Sequence, residues 1–252
     1  MQKFIIDPER ETEGCVVVCG QDARHIRRVL RLKPGSPVSM TDGKGMDYTG
    51  EILRMDQDRV EISILDKTAS ETESGLELTI CSAMLKDGKM DGVIKMLTQL
   101  GIRRWVPFFS SRSVPAPNAS RLARRTERWQ TISREAIKQC RRSCLVDIHP
   151  PVGFEEILEM SQGYSRKIAF WENAGRSLSH LAADSEADAG TIVLIGPEGG
   201  FSAEEIQRAQ AAGFVSYSLG PRILRAETAA VTATGLIQYI LGDMGTDRAP
   251  KH

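Results

Sequence analysis

From Leu76 onward, short apolar runs of strand length alternate with amphipathic stretches of helix length. The runs read LELTICSAML, RRWVPFF, SRKIAFWE, GTIVLIG and FVSYSLG. Between them, GKMDGVIKMLTQLG sets Met90, Val93, Ile94, Leu97 and Leu100 on one helical face. SRLARRTERWQTISREAIKQC does the same with Leu122, Trp129, Ile132, Ala136 and Cys140. Such alternation predicts an α/β fold with a mostly parallel sheet covered by helices on both faces, because each helix returns the chain to the same end of the sheet. A last helix, about Ala226 to Leu241, is apolar on most sides and is expected to pack deeply.

The first seventy or so residues break that rhythm. SPVSMTDG, MDYTGEILRM and DRVEISIL have strand character, clearest in the period-two alternation of DRVEISIL, and Asp42-Gly43 with Gly45 supplies turn chemistry. One helix, from about Asp22 to Leu32, puts Ala23, Ile26, Val29 and Leu30 on one face and leaves Arg24, Arg27, Arg28 and Arg31 free. These features predict a small β-barrel-like domain with a basic helix over 1–73. The polar stretch KTASETESG (67–75) reads as a linker, an α/β domain follows over 74–244, and 245–252 is expected to be a disordered tail.

Composition narrows the function classes. With 252 residues, 41% hydrophobic and 26% charged, the chain reads as an ordinary globular protein. No stretch approaches the roughly 20 apolar residues that span a bilayer, and MQKFIIDPER lacks the apolar core of a signal peptide, so a cytoplasmic location is expected. Five cysteines without a C-x-x-C pair, and histidines too distant to complete a zinc pattern, argue against a metal site and for reduced thiols. Net charge is zero but unevenly spread: between Arg121 and Arg142 eight basic residues stand against two acids, and Arg24, Arg27, Arg28, Arg31 and Lys33 form a second cluster. A neutral chain can therefore carry a polarised surface.

The chemistry concentrates in two loops. LIGPEGGFSAEEI runs from a strand through a glycine loop to Ser202, with Glu205 three residues later, the signature of a capping box. A strand, a glycine loop and a capped helix usually cradle a phosphate. Yet Glu198 would repel one, and G-P-E-G-G is not G-x-G-x-x-G. A second strand-loop-helix follows, VSYSLGPRILRAETAAVTA. Loops at the carboxyl ends of parallel strands share a crevice, so Gly196-Pro197 and Gly220-Pro221 are candidates for one pocket, with Leu219, Ile223 and Leu224 as apolar walls. A ligand with a planar base and a positive centre suits a loop carrying Glu198. S-adenosylmethionine meets that description, and other adenosyl compounds stay open. So does a purely structural reading, with two tight turns, a capping box and Glu227 as a helix N-terminal charge.

IGPEGGFSAEEI followed by LGPRILRAETAA closely resembles the two signature motifs of the RsmE family, bacterial 16S ribosomal RNA uridine-N3 methyltransferases of the SPOUT superfamily. HIRRVLRLKPG and TDGKG resemble that family's N-terminal PUA-like domain, KMLTQLG and PFFSSRSV its central segments, and ERWQTISREAIKQCRR its basic helix. The resemblance implies a SPOUT-type parallel sheet with a trefoil knot over about 191–241 and a PUA-like small β-barrel before it. It also implies S-adenosylmethionine as methyl donor, a homodimer built around the knot, and 16S rRNA within the 30S subunit as substrate, with no metal and no membrane. Carried onto this chain, the donor site is Ile195, Gly196, Pro197, Glu198, Gly199, Leu219, Gly220, Ile223, Leu224, Arg225 and Thr228. The chain departs from the family pattern at Gln99, where glutamate is usual, at Lys138, and at LVDI (145–148), where a proline is replaced.

Methyl transfer from a sulfonium is an in-line displacement and depends on alignment of nucleophile and methyl carbon. Uridine N3 has to lose its proton before or during attack, and a guanidinium can stabilise the anion that develops. Arg225 is the expected stabiliser, with Arg112 as alternative, and Glu227 is a candidate base that could equally serve the start of the last helix. Arg24, Arg27, Arg28, Arg31, Arg112, Arg125, Arg128 and Arg142 are the expected RNA grips. Two other readings compete: a ribosome assembly factor with a vestigial pocket, and a related enzyme acting on another base or a ribose oxygen.

Overall fold

The computed structural model describes residues 3–86, 88–113, 118–184 and 190–246, so most of the expected disordered tail lies outside the described residues. The chain divides into two compact units, Met1–Glu73 with Arg134–Leu145, and Ser74–Ser133 with Val146–His252.

The first unit is a curled five-stranded sheet. β1 (Lys3–Ile5), β2 (Cys15–Cys19), β3 (Pro37–Thr41), β4 (Met46–Met55) and β5 (Arg59–Ala69) lie in the order β1-β3-β4-β5-β2. β1 runs parallel to β3 and every other pairing is antiparallel. Alternate residues turn inward, among them Val38, Met40, Tyr48, Ile52, Val60 and Ile62, and with Phe4 and Val16 they form the core of this unit. β1 and β2 escaped the sequence reading because three residues, and an unbroken run of valines, show no alternation.

The basic helix differs from expectation. α1 (Gly20–Arg24) continues into a π-helical turn at His25–Val29, closed by a bond from the Leu30 amide to the His25 carbonyl at 3.0 Å. The wider turn shifts the phase of the helical face. Ala23 and Ile26 stay buried, but Val29, expected beside them, is 64% exposed, and the helix ends before Leu32.

The linker reading is also corrected. Lys67–Ala69 complete β5, and Glu73 is a fastening point within this unit. Its carboxylate accepts hydrogen bonds from the Arg142 guanidinium at 2.8 Å and from the amides of Ser143 and Cys144 at 2.5 and 3.0 Å. Burial pushes the Glu73 carboxyl up, but Arg142 and the two amides outweigh it and hold it below the usual carboxylate range. Arg142, expected to grip RNA, is therefore spent inside the protein, its side chain only 4% exposed. Nearby, the Lys3 ammonium donates to Asp47 at 2.6 Å and to Ser143 at 2.7 Å. Lys138, a departure from the family pattern, donates to Asp22 at 2.7 Å and to Glu135 at 2.8 Å.

The second unit is the expected parallel sheet. It comprises β6 (Leu78–Ala83), β7 (Arg104–Phe109), β8 (Asp147–Ile148), β9 (Val152–Gly153), β10 (Arg166–Phe170), β11 (Thr191–Ile195) and β12 (Val215–Tyr217). The order is β12-β10-β11-β6-β7-β8, with β9 also on β7. Among the described residues five α-helices belong with it: α2 (Lys89–Gln99), α3 (Ala119–Cys140, through Ser133), α4 (Phe154–Met160), α5 (Ala203–Ala211) and α6 (Ala226–Leu241).

Successive residues on a strand point to opposite faces, so each strand feeds two cores. Val193 and Ile195 join Ile80, Ile168 and Trp105 beneath α2, α3 and α6, where Val93, Trp129 and Ile237 meet them. Ile192 and Leu194 join Val106, Phe108 and Ala169 on the other side, where Ile157 of α4 and Ile206 of α5 pack. Burial on both faces explains why these strands read as apolar runs without alternation. The deep packing expected of α6 holds on one side only. Ala230, Ala233 and Ile237 turn to the sheet, while Leu236 and Tyr239, 38% and 64% exposed, have no element over them among the described residues.

Candidate active site

Strand register builds the site. Phe170 at the end of β10 pairs with Ile195 of β11 on one side and Tyr217 of β12 on the other. Three strands thus end at one level, and the loops that leave them converge at their carboxyl ends. The two glycine-proline loops leave strands that are consecutive in the chain, β11 and β12, and line one cavity as expected, but the strands are not adjacent in the sheet. Instead β10 lies between those strands and contributes a third loop, Trp171–Ser177. That segment, WENAGRS, leads into neither a capped helix nor a Gly-Pro turn, so nothing in the sequence set it apart.

The three loops enclose a cavity of about 600 Å³, within the range of small-molecule sites. Ile195, Gly196, Pro197, Glu198 and Gly199 line one side, and Leu219, Gly220, Ile223 and Leu224 another. Trp171, Glu172, Arg176 and Ser177 complete the wall. The expected site residues Arg225 and Thr228 lie outside it, both exposed, with Arg225 at the N-cap of α6 and its side chain without a hydrogen bond or ion pair among the described residues. Glu227, two residues after Arg225, has one carboxylate oxygen 3.6 Å from the Lys89 ammonium and the other buried without a hydrogen-bond partner.

Each loop is fixed from below. Phe201, 3% exposed, anchors the Gly196–Gly200 loop in the core, stacked on Phe108 at 6.3 Å between centroids. Ser202 and Glu205 form the expected capping box: the Ser202 hydroxyl accepts from the Glu205 amide at 3.1 Å and the Glu205 carboxylate from the Ser202 amide at 2.9 Å. The second Glu205 oxygen accepts from the Ser111 amide at 2.8 Å, which ties the loop after β7 to the start of α5. Burial pushes this carboxyl up, but the Ser111 and Ser202 amides outweigh it and leave it below the usual range. Arg112, beside Ser111, donates to the Gly199 carbonyl at 3.2 Å. The β10 and β12 loops are sewn together by the Trp171 amide on the Tyr217 carbonyl at 3.1 Å and the Ser218 amide on the Arg176 carbonyl at 2.9 Å. The Arg176 guanidinium lies over the Tyr217 ring at 5.3 Å.

Glu198 meets a cation of the protein's own. Lys89, at the first position of α2, donates to Glu198 at 2.5 Å and stands between it and Glu227. Nothing in the spacing of the sequence signalled this partner, which comes from a helix more than a hundred residues earlier.

Arg28 and Arg31 are exposed and Arg27 half-buried, the side chains of all three without a hydrogen bond or ion pair among the described residues. Arg24 pairs with Asp58 at 3.2 Å and Arg128 with Asp91 at 2.7 Å, while Arg125 has no such partner among the described residues. All five cysteines are free thiols. Among the described residues no group of three or more His, Cys, Asp or Glu could hold a metal ion, and no helix is long and apolar enough to cross a membrane.

Known proteins match this chain along nearly its whole length. The RNA methyltransferase domain family matches residues 72–238, and the RNA methyltransferase PUA domain matches residues 18–65. The ribosomal RNA small subunit methyltransferase E of Bacillus subtilis is 26% identical over 250 residues, covering 95% of this chain and 96% of that protein. The protein of the same name from Aquifex aeolicus is 30% identical over 195 residues, covering 77% and 82%. A crystal structure of a ribosomal RNA small subunit methyltransferase E from Neisseria gonorrhoeae, bound to S-adenosyl methionine, is 31% identical, covers 97% of this chain and 99% of that one, and superposes with a TM-score of 0.85. The fold, a parallel α/β sheet of SPOUT methyltransferase type with a PUA domain before it, places the chain in the RNA methyltransferase family, among the ribosomal RNA small subunit methyltransferase E enzymes.

Proposed function

We propose that this enzyme transfers the methyl group of S-adenosylmethionine to N3 of a uridine in 16S rRNA, in the decoding region of the small ribosomal subunit. The observation that carries the reading is the three-loop cavity, whose glycine backbone admits a flat adenosyl group and whose walls at Ile195 and Leu219 are apolar. Bound there, S-adenosylmethionine supplies a methyl group activated by a sulfonium. The chain's part is to hold, orient and shield. The Gly196–Gly200 and Leu219–Leu224 backbones take the adenosyl moiety, and Phe201 and Glu205 keep the first loop in place. Arg225, exposed and unpaired beside the cavity, stabilises the negative charge that develops on the uracil ring. Glu227 is shared with Lys89 and sits in the first turn of α6, which favours a tethering role over proton transfer.

N3 lies on the Watson–Crick edge, so the target base has to be unpaired or turned out of its helix. Arg24, Arg27, Arg28 and Arg31 in the first unit, and Arg112, Arg125 and Arg128 in the second, supply phosphate contacts. Arg142 does not belong with them. The substrate in this reading is 16S rRNA carried in the 30S subunit, and the location is the cytoplasm. A second copy of the chain covers the exposed apolar side of α6 at Leu236 and Tyr239. The test is transfer of labelled methyl to unmodified 30S subunits and to naked 16S rRNA, followed by mapping of the modified atom. Label on a ribose oxygen or another base, or firm RNA binding with no transfer, would refute this assignment.

A further inference from the structure

Deprotonation of uridine N3 calls for an acceptor, and the cavity wall narrows the choice. Among its described residues two carboxylates occur, Glu172 and Glu198, and no histidine. Glu198 is held by the Lys89 ammonium at 2.5 Å, and the same ammonium faces Glu227. A carboxylate already neutralised by a cation is a weak proton acceptor. Glu172 differs. It is exposed, lines the cavity, and has neither a hydrogen bond nor an ion pair among the described residues.

Its position is built into the neighbouring loop. Gly200 has φ +67°, and a Cβ there would lie 2.6 Å from Glu172 Oε1. The bare glycine thus serves twice, accepting a left-handed backbone and leaving room for the carboxylate of the β10 loop. The charged groups around Glu172 are Arg176 of its own loop, Glu198 with Lys89 and Arg112 from the side of Gly199, and Arg222 of the β12 loop.

We propose that Glu172 is the proton acceptor for the uridine N3–H, the carboxylate that three converging loops leave unpaired on the cavity wall. In the step, the N3–H bond breaks and its proton passes to a Glu172 oxygen. The N3 electron pair forms the bond to the methyl carbon as the carbon–sulfur bond breaks, and that pair stays on sulfur. Glu172 then returns its proton to solvent, which its exposure permits. The assignment rests on the uridine-N3 reading above.

Single-turnover transfer to a 16S rRNA fragment, followed from pH 6 to 10 for the wild type, Glu172→Gln and Glu172→Asp, tests it, together with calorimetric binding of S-adenosylhomocysteine. Glu172→Gln is expected to slow transfer about 100-fold near pH 7, the low end for loss of general acid–base help. The deficit should shrink steadily with rising pH as the uridine ionises unaided, Glu172→Asp should recover part of the rate, and nucleoside affinity should stay unchanged. An unchanged rate overturns the proposal. So does a deficit equal at every pH with weakened S-adenosylhomocysteine binding, which would make Glu172 a donor-binding group. If the wild type itself places the label away from N3, the functional reading fails first and the role of Glu172 with it.

Discussion

Glu205 offers a sharp test of how the donor loop is held. Its carboxylate is 5% exposed and accepts two backbone amides, Ser202 at 2.9 Å and Ser111 at 2.8 Å. Glu205→Ala removes both acceptors and leaves two amides facing a cavity. Hydrogen bonds to a buried charge contribute about 1.5–3 kcal/mol each, and the lower figure applies because burying the carboxylate itself costs free energy. A loss of about 3 kcal/mol follows, against about 1 kcal/mol for Ser202→Ala, which removes one cap. In a chain of this size that is about 6–12 °C in Tm for Glu205→Ala. The pH dependence has a definite sign. The folded carboxyl lies below its ordinary value, so its contribution is complete above about pH 4.3 and is lost as pH falls through the folded value. Urea melts of the wild type and Glu205→Gln at pH 7 and pH 3.5 should converge at the lower pH. Equal costs for Glu205→Ala and Ser202→Ala, or parallel pH profiles for wild type and Glu205→Gln, would refute the claim that one carboxylate pins the loops after β7 and β11 together.

Arg225→Ala should abolish methyl transfer while calorimetry finds S-adenosylmethionine affinity nearly intact; unchanged turnover would end that assignment. Gly200→Ala forces a side chain into a left-handed backbone and against Glu172, so a stability loss of about 1 kcal/mol in chemical melts and slower transfer are expected. Arg28→Ala should weaken 16S rRNA binding evenly and lower the salt slope by about one, as for a phosphate contact. Arg142→Ala should instead destabilise the first unit by about 3 kcal/mol, because Glu73 loses its buried partner, and RNA titrations at low temperature should show little direct effect. If a second copy covers α6 as proposed, Tyr239→Asp should lower the mass in light scattering to that of one chain; an unaltered mass would refute that proposal.

β6, β7, β10, β11 and β12 and helices α2, α3, α5 and α6 were legible because each buries two faces or one stripe, and apolar runs of the right length report that directly; the two-residue β8 and β9 and the seven-residue α4 went unread. TIVLI reads as a strand for this reason, and α6 matched its expected bounds, Ala226 to Leu241. Legibility failed where a residue's role depends on something remote. Arg142 looks like its basic neighbours in sequence, and its pairing with Glu73, sixty-nine residues earlier, is what tells it apart. Val29 was lost to a π-turn, which alters the helical period without any glycine or proline to announce it. The two glycine loops were visible because close approach to a ligand needs glycine. The WENAGRS loop was not, because its place in the cavity comes from β10 pairing between β11 and β12, a property of strand order.

Lys89 explains the glutamate in the glycine loop. A phosphate cradle needs backbone amides with no competing negative charge nearby. Here Glu198 and Glu227 flank one Lys89 ammonium, so the cluster carries one net negative charge beside the cavity. The Glu198 hydrogen bond, ahead of the charge of both carboxylates, raises the Lys89 ammonium above its usual range, so the lysine keeps its charge at neutral pH. An anion would be disfavoured there and a cation favoured, while the lysine holds the loop in shape whether or not a ligand is bound. The motif therefore shares its local architecture with phosphate-binding loops and inverts their electrostatics, as a sulfonium donor requires.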